Sequence, residues 1–97
     1  MTTLIQNGTV VTTTGRHEAD VLIDGTTIAA VLQPGSDAAV SAADGADRVI
    51  DATGKYVVPG GIDCHTHMEL PFGGTFASDT FEIGTRAAAW GGTTTII

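Results

Sequence analysis

The chain has 97 residues and a formal net charge of −7, with 11 Asp plus Glu against 4 Lys plus Arg. That field repels phosphate backbones and leaves no basic stripe, which excludes nucleic acid and anionic lipid as partners. Hydrophobic residues make up 42% of the chain, enough for a packed core and too many for wholesale disorder.

The N-terminus, from Met1 to Gly8, has neither a positive n-region nor an apolar h-region, so it does not read as a signal peptide. No apolar run approaches the roughly 20 residues that span a bilayer, and a soluble cytoplasmic protein is expected. Residues 1–58 read as short strands separated by tight turns. Leu4-Ile5-Gln6 and Thr9-Val10-Val11-Thr12 flank Asn7-Gly8, a dipeptide that favours the left-handed dihedrals of a two-residue hairpin turn. Asp20-Val21-Leu22-Ile23 and the strand from Thr27 to Leu32 flank Asp24-Gly25 in the same way. Thr14-Gly15-Arg16-His17-Glu18 reads as a polar connection with a solvated histidine. Residues 33–47, rich in Ala, Asp, Ser and Gly, predict a surface loop with room for one helical turn. Asp37, Asp44 and Asp47 lack calcium-loop spacing and read as solvated. Arg48-Val49-Ile50-Asp51 is another short strand, and Ala52-Thr53-Gly54 turns the chain into Lys55-Tyr56-Val57-Val58.

The pattern changes after Pro59-Gly60-Gly61. Ile62-Asp63-Cys64-His65 suits a buried strand, and Thr66 to Ser78 is a loop containing Pro71 and Gly73-Gly74. A helix is predicted from Asp79, the expected cap, with Glu82 three residues on to reach back to it. It continues through Ala87-Ala88-Ala89-Trp90 and ends at Gly91-Gly92. Thr93 to Ile97 is β-branched throughout and reads as the next strand. Strand, loop, helix and strand make one βαβ unit, the building block of parallel sheets and barrels. Cys64 is expected to be a small buried residue against the helix, and Trp90 to belong to the core. As the only cysteine, Cys64 excludes an intramolecular disulfide, which fits a reducing compartment. One βαβ unit cannot cover both faces of its sheet, and a (β/α)₈ barrel takes about 250 residues. The chain is therefore expected to be a piece of a longer protein. It shows no repeat at a solenoid period.

The chemistry lies in Pro59-Gly60-Gly61-Ile62-Asp63-Cys64-His65-Thr66-His67. Side chains alternate faces along a strand, so an extended 62–67 puts Asp63, His65 and His67 on one face. Two imidazoles two positions apart can reach one ion at the end of a strand, with zinc–nitrogen distances of about 2.0–2.1 Å. Asp63, one step deeper, is a candidate to orient a ligating histidine from the outer shell. A bare His-x-His is most often a solvated or structural pair. The Gly-Gly-Ile-Asp lead-in, the strand and the loop after it favour metal binding here.

Four segments in order carry a family resemblance: Asn7-Gly8, then Val21 to Gly25, then Ile50 to Lys55, then Pro59 to His67. Together they resemble the N-terminal run of the amidohydrolase superfamily, over nearly all 97 residues. Met68-Glu69-Leu70-Pro71-Phe72-Gly73-Gly74-Thr75 looks like the dihydropyrimidinase and D-hydantoinase group. Dihydroorotases carry an Arg-Glu-Pro stretch after the second histidine, and this chain has no arginine there.

The resemblance implies an α/β fold, the start of a (β/α)₈ TIM barrel preceded by part of a small β-sandwich. Residues 1–55 would be the sandwich share and residues 56–97 the first βαβ unit. It implies two zinc ions bridged by a carboxylated lysine and a hydroxide, with His65 and His67 as ligands of the more buried ion. Lys55, the only lysine, does not match the bridging one. Leu70 and Phe72 are expected to pack against the substrate's ring substituent. The implied reaction opens the cyclic amide of a dihydropyrimidine or hydantoin to an N-carbamoyl amino acid, in a homo-oligomer, a tetramer. Only two protein ligands are present, where catalytic zinc usually has three, so the 97 residues alone are expected to be inactive. The alternatives are an allantoinase-like or other cyclic amidohydrolase, a non-catalytic dihydropyrimidinase-related assembly protein, and a stand-alone β-rich binding module.

Overall fold

The computed structural model describes the backbone of residues 1–97 and every side chain except those of Phe72 and Phe76. The residues form two compact units, Met1–Val58 and Pro59–Ile97. Both mix helix and strand, with strand predominating. Among the described residues no helix is long and apolar enough to cross a membrane.

In the first unit, β1 (Thr2–Thr12) and β2 (Gly15–Asp24) form a long antiparallel pair, and β3 (Thr27–Leu32) pairs antiparallel with β2. The other edge of β1 takes β4 (Arg48–Asp51) and then β5 (Tyr56–Val57), both parallel to it. This pairing keeps Tyr56 and Val57 in the first compact unit. Leu4 is fully buried, with Ala19, Val21, Ala39 and Ala52 around the same core.

Three sequence expectations are corrected here. Asn7-Gly8 makes no hairpin; it lies inside β1 as a bulge, where the register jumps from Ile5 opposite Val21 to Gly8 opposite Ala19. The left-handed preference of Asn is used, at φ 66°, but to insert an extra residue into a continuing strand. The actual turn is at Thr13-Thr14, so residues 15–18 are strand and not a polar connection. Residues 33–47 are not a loop either, because α1 (Asp37–Gly45) runs through them. Ser36 caps this helix by accepting from the Ala39 N–H at 3.2 Å, and the alanines that looked loop-like are the strongest helix formers. The Asp24-Gly25 hairpin forms, with Gly25 at φ 60°.

In the second unit, β6 (Gly61–Asp63) pairs parallel with β9 (Thr93–Ile96), and α2 (Phe81–Trp90) lies between them in the chain. Two parallel strands and no barrel are present among the described residues. The loop before α2 holds a small hairpin of β7 (Pro71–Phe72) and β8 (Thr75–Phe76). Gly73 and Gly74, at φ 58° and 85°, make its turn with the two positive dihedrals that match strand twist. The helix cap differs from expectation. Thr80 caps α2, accepting from the Ile83 N–H at 3.1 Å, and Asp79 does not. Glu82, then only two residues past the cap, pairs along the helix with Arg86 at 3.0 Å.

Candidate metal centre

Strand β6 ends at Asp63, two residues before the first histidine. The chain then bends because the Asp63 Oδ1 accepts from the His65 N–H at 3.1 Å, an Asx turn. Asp63 thus acts on the backbone of His65 and makes no bond to its ring. Next along, the Thr66 Oγ1 donates to the Ile97 carbonyl at 3.2 Å, and the Ile97 N–H donates to the Asp63 carbonyl at 3.0 Å. His65 and Thr66 are therefore anchored to the β6–β9 ladder.

The two imidazoles converge. His65 Nε2 and His67 Nε2 are 3.2 Å apart, with ring centroids 5.0 Å apart and planes tilted by 44°. Both residues are exposed. Two nitrogens can approach this closely in two ways. One can donate to the other, or both lone pairs can point at one cation. At the usual zinc distance of about 2.0–2.1 Å, nitrogens with this separation subtend roughly 100° at a shared ion, near the tetrahedral value. The donor set fits zinc in chemistry and spacing, but it is incomplete. Among the described residues no group of three His, Cys, Asp or Glu side chains comes together.

Leu70 is exposed at the foot of the β7–β8 hairpin, where its carbonyl accepts from the Ala77 N–H at 2.9 Å. The side chain of Phe72 lies outside the described residues. Cys64 is exposed, not buried against the helix, and Trp90 is 87% exposed, not core. A two-stranded sheet with one helix has too few layers to bury either.

One residue that sequence reasoning does not single out is Glu69. Its Oε2 accepts from the Phe81 N–H at 2.8 Å, twelve positions along the chain, at the first turn of α2. No local pattern links a carboxylate to a helix start across such a gap.

No family model matches the chain. It is 60% identical over 95 residues to a D-hydantoinase of Streptomyces coelicolor, covering 98% of this chain and 20% of that protein. It is 46% identical over 96 residues to a dihydropyrimidinase of Dictyostelium discoideum, covering 99% of this chain and 18% of that protein. A crystal structure of a D-hydantoinase superposes with a TM-score of 0.83 at 53% identity, over 99% of this chain and 19% of that one. The chain spans about a fifth of the length of the curated relatives it matches.

Proposed function

Because the chain belongs over its whole length to the D-hydantoinase and dihydropyrimidinase family, we propose that its His65 and His67 supply two metal ligands to a zinc-dependent hydrolase of cyclic amides. The observation that carries this reading is the 3.2 Å approach of the two Nε2 atoms at the end of a strand. A direct N–H···N bond is the other way to reach this distance, but between two exposed rings it gains little over bonds to water.

When bound, zinc supplies Lewis acidity, which polarises an amide carbonyl and makes a water more acidic. The residues here do the holding. The Asp63 carboxylate fixes the turn that presents His65, and the sheet contacts of Thr66 and Ile97 keep that turn in place. The substrate class in this proposal, hydantoins or dihydropyrimidines, is the one the relatives' names carry, and the family resemblance adds the product, an N-carbamoyl amino acid. Two ions bridged by a carboxylated lysine, an outward-facing Leu70 beside the substrate ring, a (β/α)₈ barrel around the site, a tetrameric assembly and a cytoplasmic location belong to the same proposal.

The test uses the whole protein. His65→Ala and His67→Ala should each reduce zinc content, measured by mass spectrometry after dialysis. Each should lower hydantoin or dihydrouracil hydrolysis by more than about a hundredfold, beyond what loss of an outer-shell partner costs. Circular dichroism should stay as in wild type. Wild-type hydrolysis in either variant defeats the ligand assignment. Residues 1–97 alone, loaded with zinc, should show no turnover, since two donors fall short of the usual three.

A further inference from the structure

Resting on that ligand reading, we propose that Glu69 is a positioning residue for the metal pair: it sets His67 against His65 by tying the chain just beyond His67 to the start of α2. The two histidines are held from different sides. His65 and Thr66 are fixed to the β6–β9 sheet through Asp63 and Ile97. Among the described residues, nothing on that sheet bonds His67. The next residues instead dock on α2. The Glu69 N–H donates to the Asp79 carbonyl at 2.9 Å, and the Glu69 Oε2 accepts from the Phe81 N–H at 2.8 Å.

Two further features show that this docking is specific. Glu69 has a left-handed backbone, φ 53°, a conformation that a long side chain rarely adopts without compensating contacts. Met68, immediately before it, packs on Gly84 so closely that a Cβ there would lie 2.6 Å from the Met68 Sδ. Residues 68 and 69 are thus pinned to the first turns of α2 by a charge-assisted bond, a backbone bond and a steric fit. A carboxylate is also the group favoured at a helix N-terminus. The helix does not depend on it for capping, because Thr80 already serves. The separation of the two Nε2 atoms therefore depends on where Glu69 holds the loop.

The experiment compares Glu69→Ala, Glu69→Gly and Glu69→Gln with Thr80→Ala in the whole protein. Glycine relieves the left-handed strain but loses the bond; glutamine keeps an oxygen acceptor. Zinc affinity is read by competition with a chromophoric chelator, and ligand geometry by the visible absorption of the cobalt(II)-substituted protein. Glu69→Ala and Glu69→Gly should weaken zinc binding by about tenfold or more, the usual effect of losing an outer-shell partner, and should alter the cobalt spectrum. Glu69→Gln should restore both. Thr80→Ala should lower thermal stability and leave metal affinity unchanged. If Glu69→Ala fails to fold, the contrast between Gly and Gln carries the comparison. Wild-type affinity in Glu69→Gly overturns the proposal, as does a Thr80→Ala loss equal to that of Glu69→Gly, which would make Glu69 a helix cap only. Unchanged zinc affinity in His67→Ala would instead overturn the ligand reading beneath it.

Discussion

Asn7 and Gly8 show how much one dipeptide can organise. The Asn7 N–H donates to the Oδ1 of Asp20 at 2.9 Å, and Asp20 is only 3% exposed, so a carboxylate that would be costly to bury alone is given a partner. The Asn7 Nδ2 reaches Asp51 at 3.4 Å on the opposite edge of β1. Gly8 is required for space rather than for dihedral freedom. A Cβ there would sit 2.5 Å from the Val57 Cγ2 and 3.1 Å from the Ala52 Cβ. Gly8→Ala should therefore destabilise the first unit by about 1–3 kcal/mol, the usual cost of overpacking. Gly45→Ala is the control, since its Cβ meets nothing within 4 Å in a helix, and it should gain roughly 0.5–1 kcal/mol. Urea unfolding followed by circular dichroism gives both values. Equal behaviour of the two variants would remove the packing argument.

At the scale of elements, a cap decides a helix more than its composition suggests. Helix α1 has nine residues, a length at which isolated helices are marginal. Ala39 is its one buried residue, so packing supports it little. Ser36→Ala should cost about 1 kcal/mol and open the amides of residues 37–40 to hydrogen exchange first. Protection factors unchanged from wild type would show that packing holds the helix. Local and distant contacts differ in how legible they are in the sequence. The β4 strand and the Asp24-Gly25 hairpin were readable because β-branched runs and turn residues act locally. The bulge at Asn7, the helix at 37–45 and the Thr80 cap were not. At the two helices the choice lay with the Ser36 and Thr80 hydroxyls, three residues from the amides they cap. At Asn7 a local signal had two outcomes, and contacts distant in sequence chose between them. Asn-Gly serves a hairpin or a bulge, and Asp51 and Val57 select the bulge. At the site, the histidine pair stood out by spacing, whereas Glu69 did not, because its partner lies on another element.

Over the whole molecule, an excess of acid groups sets two effects against each other as pH falls. Protonating carboxylates relieves the self-repulsion of a chain with net charge −7, which favours folding. It also breaks the bonds that charged carboxylates accept. Asp47 is held below its ordinary value of 3.8 chiefly by the Thr2 backbone N–H, which donates at 2.7 Å and joins the start of β1 to the approach to β4. Asp51 is held below it chiefly by the Thr53 hydroxyl at 2.6 Å, with help from the Thr53 N–H and from Asn7. A carboxyl depressed in the folded state binds its proton more readily unfolded. Its contribution is therefore complete above the unfolded value and drains away as pH falls through the folded one. At 0.15 M salt the Debye length is about 8 Å, so diffuse repulsion is largely screened while bonds at 2.6–2.7 Å are not. The local term should win. The urea midpoint of the first unit should be flat from pH 7 to about 5 and should decline below 3.8. In a double Asp47→Asn, Asp51→Asn variant the neutral-pH midpoint should drop and the acid decline should flatten. A wild-type midpoint that rises on acidification at this ionic strength would mean that repulsion, and not these two carboxylates, governs the acid response.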